Sequence, residues 1–207
     1  MSELMTRDIV TKTMLGKRQL REVLTNIFAG LIIVPEEIWL VTAWLTDFDV
    51  LDNRSGNWSF LNPEWGPKIV TFIELLEFAA HRGCKLNVVV KKDEINNKSV
   101  YRLKTNLREN SDFQILEAEN LHKKGFLTQT CFLKGSMNFT YRGANLNDEL
   151  ISLTSDQHEI SNMRIEFKND YIFSYNSDYI KKSHEFSVTE KSLDDDDDDD
   201  EDDYEFF

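Results

Sequence analysis

Short runs of strand-forming residues alternate with helix-forming segments through the first half of the chain. Each apolar run is rich in β-branched or aromatic side chains, as buried strands are. The intervening segments carry apolar residues at helical spacing. The runs are residues 38–44, 85–91 and 113–116, and the predicted helices cover 18–31, 69–81 and 98–109. This β-α-β-α-β order predicts an α/β fold, a sheet with helices on its faces.

The rest of the chain adds strands, one long loop and a C-terminal helix. Polar, Gly and Pro residues predict a loop over 46–67, and a loop of that length is often functional. Further apolar runs occupy 125–127, 130–133 and 149–153, and a last helix is predicted over 158–182. We therefore expect one domain over residues 1–185, followed by a disordered acidic tail over 186–207.

The negative charge of the protein is concentrated in that tail. The formal net charge is −13, from 24 Lys and Arg against 37 Asp and Glu. Eleven of the acidic residues lie between Asp194 and Glu205, and without them the net charge is −2. The body of the protein is thus nearly neutral, so the low pI does not exclude a local basic cleft for nucleic acid.

Several protein classes are disfavoured by the composition. Two cysteines, Cys84 and Cys131, cannot build a disulfide framework, which indicates a reducing compartment. Residues 1–20 lack the continuous apolar stretch of a signal peptide. The most apolar segment, 28–45, is broken by Pro35 and the acids after it. We expect a cytoplasmic protein without stable membrane anchoring.

One segment, residues 121–153, holds several chemically active side chains at fixed offsets. It contains His122-x-Lys124, then Gly135-Ser136-x-Asn138, then Glu149. This pattern resembles the phospholipase D superfamily, whose signature is H-x-K-x4-D followed by G-S-x-N and a downstream acid. The sequence departs from the signature at Gln129, where the family has aspartate.

Each of these residues suits phosphodiester chemistry. Histidine titrates near neutrality and can act as nucleophile or acid, so His122 is the expected catalytic group. We expect a strand to point His122 and Lys124 at one phosphate, with Ser136 and Asn138 as further donors. Glu149 would hold the second ring nitrogen of His122. No metal and no cofactor is expected, because cationic side chains supply the positive charge.

The resemblance also implies a fold and an assembly. It implies a mixed sheet flanked by helices that carries one half-site per chain. The family mechanism uses two histidines, one forming a phosphohistidine and one protonating the leaving group. Because the motif occurs once here, the resemblance implies a homodimer in which two copies of His122 face each other.

Among the substrates of this superfamily, nucleic acid suits a short single-motif chain best, and DNA is favoured. The sequence most resembles bacterial phospholipase-D-like proteins linked to phage defence or DNA modification. A non-catalytic nucleic-acid-binding subunit and a phospholipid hydrolase are the alternatives. Candidate nucleic-acid contacts are Arg54, Trp58, Trp65, Lys123 and Arg142. Trp44 is a further candidate for stacking on bases, but Trp39 and Trp44 lie in an apolar run and are expected in the core.

The acidic tail ends in Tyr204-Glu205-Phe206-Phe207. Its simplest interpretation is a solvated segment. Alternatively, an acidic run that closes in aromatic residues could dock on a basic pocket of a partner protein. It could also cover the enzyme's own cleft as a phosphate mimic. Deletion of residues 194–207 separates these hypotheses, since loss of partner binding indicates docking and raised basal activity indicates self-inhibition.

Overall fold

The computed structural model describes residues 6–173, and the acidic tail lies outside the described residues. The C-terminal helix predicted over 158–182 ends at Asp170, because Tyr171 leaves the helical conformation, and positions 174–182 of that prediction lie outside the described residues. The described part of the chain contains nine strands and five α-helices. The strands are β1 (Thr6–Val10), β2 (Glu37–Thr42), β3 (Asp49–Asp52), β4 (Ile69–Thr71), β5 (Lys85–Lys91), β6 (Phe113–Ala118), β7 (Gly125–Leu127), β8 (Phe132–Gly135) and β9 (Leu150–Thr154). The helices are α1 (Met14–Ile33), α2 (Phe72–His81), α3 (Asn97–Asn106), α4 (Tyr141–Asn145) and α5 (Gln157–Asp170).

Seven of the strands form one mixed sheet in the order β1-β9-β8-β7-β2-β5-β6. β2, β5 and β6 are parallel, and every other neighbouring pair is antiparallel. The carboxyl ends of β2, β5, β6 and β8 therefore meet the amino ends of β7 and β9 at one edge of the sheet. We call this edge the motif edge, because the segments that flank β7, β8 and β9 here contain the sequence motif.

Each face of the sheet is covered by its own hydrophobic core. On one face an aromatic cluster joins α1 and α2 to the sheet, and in it Phe72 packs 5.6 Å from Phe28 and 5.4 Å from Phe139 between ring centroids. On the other face Phe167 of α5 packs 5.9 Å from Trp39. Full burial of such side chains contributes about 1.5–3 kcal/mol each, so both layers hold the strands that carry the motif in place.

The α/β fold class expected from the sequence is confirmed, and the differences lie in short elements. The predicted loop 46–67 contains β3 and a 3-10 turn at Pro63–Trp65. The predicted helix 69–81 starts only at Phe72, since its first residues form β4 and pair with β3. Strand β1 was not predicted, because only Ile9 of its five residues is buried. None of the helices within residues 6–173 is long and apolar enough to cross a membrane.

Candidate active site

The five motif residues lie in the three junctions where β7 and β9 begin and β8 ends. His122 and Lys124 precede β7, Ser136 and Asn138 follow β8, and Glu149 precedes β9. β8 pairs with both β7 and β9, with Gly125 opposite Lys134 and Gly135 opposite Ile151. Residues up to 27 positions apart in sequence are thereby brought to the motif edge.

His122 and Lys124 lie in a segment without regular secondary structure just before β7, not in the strand itself as expected. The His122 side chain is exposed, and Lys124 is half-buried. Nζ of Lys124 donates to the main-chain oxygen of His122 at 2.9 Å. Among residues 6–173, no carboxylate lies within ion-pair distance of this ammonium group. Its charge is therefore available to an incoming phosphate.

Gly135 shapes the turn that carries Ser136. Its φ is +150°, and a Cβ atom at this position would lie 2.1 Å from the main-chain oxygen of Leu150. This close approach lets the backbone N–H of Ser136 donate to the oxygen of Leu150 at 3.0 Å, while the N–H of Leu150 donates to Oγ of Ser136 at 3.1 Å. The glycine of the motif is thus required sterically.

Glu149 is a buried carboxylate, 9% exposed, that is held by neutral donors. Oγ of Ser136 donates to Oε2 of Glu149, and Nδ2 of Asn147 donates to Oε1 at 3.0 Å. The backbone N–H of Glu149 donates to Oγ1 of Thr11 at 2.9 Å. Within the described part of the chain, no cation pairs with Glu149 and no hydrogen bond joins it to the His122 ring. The expected contact between Glu149 and His122 is therefore not made within one chain.

Asn138 is fixed through its side-chain oxygen. Oδ1 accepts from Oγ1 of Thr42 at 3.3 Å and from the backbone N–H of Trp44 at 3.4 Å. Its amide N–H groups make no hydrogen bond within residues 6–173. Gly143 lies against this residue, since a Cβ there would lie 2.3 Å from the main-chain oxygen of Asn138. Asn138 thus presents donors at the motif edge.

Of the five candidate nucleic-acid contacts, Trp65 is contradicted. Trp65 is 5% exposed and packs edge-on against Phe78 in the core, because the 3-10 turn folds its indole inward. Trp58 is half-buried, and its backbone N–H donates to Asn53 Oδ1 at 2.7 Å. Arg142 is exposed on α4 and forms no ion pair within the described residues.

Two of the candidate cations are already paired. The Arg54 guanidinium donates to both carboxylate oxygens of Asp52, at 3.0 and 2.7 Å, and these hydrogen bonds lower the pKa of Asp52 to about 2. Lys123 pairs with Glu166 and with Asp170 on α5, and hydrogen bonding to these acids, Asp170 first, raises the pKa of its ammonium group. A phosphate would have to compete with these carboxylates.

Trp44 lies at the motif edge, although its apolar run in the sequence favoured the core for it over a role in base stacking. It was expected in the core, but its side chain is 39% exposed, and only Trp39 of that pair is buried. β2 ends at Thr42, two residues earlier. The indole Nε1 donates to Oδ2 of Asp93 at 3.2 Å. Thr46 and Asp47, the polar residues that follow Leu45, are the signal that the buried strand had ended.

Gln129, the departure from the family signature, lies at the far end of β7 from His122. Its backbone N–H donates to Oε2 of Glu36 at 2.7 Å. Seven extended residues span about 20 Å, so position 129 is distant from the motif edge. A carboxylate missing there removes no group from the candidate site.

No group of three or more His, Cys, Asp or Glu side chains is placed to hold a metal ion within residues 6–173. The chemistry offered by the motif edge is that of an exposed imidazole, an unpaired ammonium group, amide donors and a buried carboxylate. Such a set can bind a phosphate group and attack or protonate it.

Comparison with solved structures identifies similar folds. NucT from Helicobacter pylori matches with a TM-score of 0.54 and 15% identity, over 81% of this chain and 95% of that chain. Nuc from Salmonella typhimurium, a phospholipase D family member, matches with a TM-score of 0.54 and 12% identity, over 81% and 93% of the two chains. Polyphosphate kinase from Porphyromonas gingivalis matches at 0.52 and 17% identity, over 79% of this chain and 23% of that one.

Comparison with curated protein sequences gives no match. Residues 61–171, more than half of the chain, match the family described as "Cardiolipin synthase, PLD-like domain". This range includes every residue of the motif. The sequence match and the mixed sheet agree, and the chain therefore belongs to the phospholipase D-like domain family.

Proposed function

We propose that the protein is a phosphodiesterase that cleaves nucleic acid, DNA foremost, without a metal ion. The proposal is supported by the placement of His122, Lys124 and Asn138 in strand junctions at the motif edge, where the pair formed by Ser136 and Glu149 also lies. The ammonium group of Lys124 and the amide donors of Asn138, which have no side-chain partner among the described residues, supply the positive potential that a phosphate requires. An exposed imidazole supplies the nucleophile.

In the proposed reaction, Nε2 of His122 attacks the phosphorus atom, and the bond from phosphorus to the leaving oxygen breaks. The partner subunit's His122 donates its proton to that oxygen. The partner's His122, now neutral, then takes a proton from water, whose oxygen attacks phosphorus and breaks the phosphorus–nitrogen bond. The cycle consumes one water and yields a phosphate monoester and a hydroxyl. Lys124 stabilises the charge that develops on the phosphoryl oxygens.

Self-association across the motif edge is part of the proposal. Two features of the single chain support it. Within residues 6–173 no cation pairs with the buried carboxylate of Glu149, and an imidazolium from a second copy would neutralise it. Exposed apolar side chains also surround the segments that contact Glu149, and exposed apolar patches are typical of interaction sites. These side chains are Val10, Met14, Leu15, Leu146 and Leu150.

The second candidate function is a nucleic-acid-binding subunit without catalysis. It is suggested by the replacement of the family aspartate with Gln129. The position of Gln129 at the opposite end of β7 argues against a direct effect on the reacting phosphate. We therefore retain catalysis as the proposed function and use binding without cleavage as the alternative outcome of the test.

The test is cleavage of single- and double-stranded DNA by the full chain in excess EDTA. Wild-type protein and a His81→Ala control should cleave, and His122→Ala should lose at least about 10³-fold in rate. His81 ends α2 at the opposite edge of the sheet and serves as the matched histidine. Binding without cleavage by wild type would favour the second candidate. Turnover of phosphatidyl substrates in micelles without turnover of DNA would favour lipid hydrolysis.

The cellular setting is a prediction from the sequence. We propose a role in a cytoplasmic phage-defence or DNA-modification assembly, with the acidic, Phe-ending tail as the segment that docks on a partner protein. Deletion of residues 194–207 followed by cleavage and partner-binding assays tests the tail. Raised basal cleavage without loss of partner binding would contradict the docking role.

A further inference from the structure

Trp44 is an exposed indole next to the candidate phosphate site, and its orientation is fixed. Its backbone N–H donates to Asn138, and its ring N–H donates to Asp93 at 3.2 Å. Asp93 is itself held by the backbone N–H of Ile95 at 3.1 Å. A ring with both ends anchored loses little rotational freedom when a ligand packs on it. The indole is therefore preorganised to bind a flat group.

A second exposed aromatic residue, Tyr141, lies three positions after Asn138. Tyr141 is 54% exposed, and its backbone N–H donates to Oγ1 of Thr46 at 2.9 Å. The backbone N–H of Thr46 in turn donates to the oxygen of Phe139 at 3.0 Å. The segments that hold Trp44 and Tyr141 are thus hydrogen-bonded to each other beside Asn138, and Trp44 contacts Asn138 through its backbone N–H.

The charges around the indole decide which part of a nucleotide could pack on it. The Asp93 carboxylate repels a phosphate, whereas the ammonium group of Lys124 attracts one. An uncharged nucleobase has no such conflict with Asp93, and any base can stack on an indole. With the phosphate at Lys124 and Asn138, the base next to it is therefore directed to Trp44.

Stacking on a side chain requires a base whose face is open. In a duplex both faces of each base are covered by neighbouring base pairs, whereas an unpaired base can be splayed onto an aromatic ring. We propose that Trp44 is the stacking platform for an unpaired base beside the scissile phosphate, so that the substrate is single-stranded nucleic acid. This inference rests on the proposed function, since only a nuclease has a scissile phosphate, but stacking of a base on Trp44 can be tested by binding alone.

The binding test uses the full chain carrying His122→Ala, so that the oligonucleotide stays intact whether or not the wild type cleaves. A single-stranded thymidine oligomer should quench tryptophan fluorescence, because Trp39 and Trp65 are buried and Trp44 is the most exposed indole of the described residues. An abasic oligomer of equal length and inorganic polyphosphate should not quench it. In the His122→Ala background, a second substitution Trp44→Phe should remove most of the quenching. The control substitution Phe60→Leu, at another exposed aromatic residue, should leave the quenching unchanged.

The second test measures binding affinity and compares Trp44→Ala with the control Phe60→Leu, both in the His122→Ala background. Trp44→Ala should weaken binding of the thymidine oligomer by roughly tenfold and binding of polyphosphate by less than about twofold. An unchanged melting temperature of Trp44→Phe shows that the fold is intact. Quenching that persists in Trp44→Phe, or an equal loss for polyphosphate, would overturn the inference. If the oligomer quenches the His122→Ala protein but the wild-type protein cleaves no DNA, the proposed function is overturned and the stacking role of Trp44 is retained.

Discussion

The hydroxyl of Ser136 donates to the carboxylate of Glu149, and the same oxygen accepts the backbone N–H of Leu150, the residue that follows Glu149. The Ser136 side chain thereby links the turn after β8 to the start of β9 through two hydrogen bonds, one donated and one accepted. In this arrangement the Ser136 proton is directed at Glu149 and not at a phosphate. We infer that Ser136 acts through Glu149, as a positioning residue, in the unliganded chain.

Replacing Ser136 with alanine should destabilise the protein. The variant leaves a buried carboxylate oxygen without its donor, which costs about 1–3 kcal/mol of unfolding free energy. Urea denaturation at pH 7 measures this. Ser161→Ala, an exposed serine on α5, should change the value by less than about 0.5 kcal/mol. Equal effects of the two variants would mean that the hydrogen bond to Glu149 contributes nothing.

Two glycine-to-alanine variants should change stability in opposite directions. Gly143→Ala forces a Cβ against the main-chain oxygen of Asn138, and overpacking of this kind costs about 1–3 kcal/mol. Gly30→Ala meets no atom within 4 Å in helix α1 and should stabilise by about 0.5–1 kcal/mol. Thermal unfolding of both variants checks the signs. A stabilised Gly143→Ala would refute the close approach that positions Asn138.

Much of the motif edge could be foreseen from the sequence, because the motif residues flank strands that are neighbours in the sheet. The placement of tryptophans could not. Trp44 extends an apolar run, but β2 ends before it, and the pairing of Ala43 and Leu45 with Asn96 turns the chain at that point. Trp65 lies among Pro, Gly and Asn residues, and only the tertiary packing against Phe78 buries it.

The short strands were missed for a related reason. β3 and β4 contain four and three residues, and their pairing is nonlocal. Too few residues alternate for a period of two to be visible in the sequence. The expected hydrogen bond between His122 and Glu149 was an analogy with carboxylate–histidine pairs in other active sites, and the geometry of a single chain gives Glu149 other partners.

The pair formed by Arg54 and Asp52 predicts a pH dependence. The folded pKa of Asp52 is about 2, below its ordinary value of 3.8, chiefly because of the side-chain hydrogen bond from Arg54. The pair therefore stabilises the fold fully above pH 4, and this contribution is lost as the pH falls through about 2. In Arg54→Gln, the pKa of Asp52 should return toward 3.8, as measured by carboxyl carbon shifts in an NMR titration. An unshifted pKa in Arg54→Gln, matching an Arg18→Gln control, would contradict the assignment.

Charging the apolar side chains around Glu149 should prevent self-association. Leu150 is 58% exposed at the motif edge, whereas Ile33 is 64% exposed at the end of α1, beyond the opposite edge. Burying an unpaired carboxylate in an interface is costly, so Leu150→Asp should sediment as a monomer. Ile33→Asp should sediment like wild type. If Ile33→Asp sediments as a monomer and Leu150→Asp does not, the subunit interface lies away from the motif edge.

The central claim is that two copies of His122, one from each subunit, form one reaction centre. The most direct measurement is the cleavage rate of dimers assembled from mixtures of wild-type and His122→Ala chains that have been unfolded and refolded together. If both histidines are required, the rate follows the square of the wild-type fraction, so an equal mixture retains about a quarter of the activity. Retention of about half the activity, as expected for independent subunits, would contradict the account.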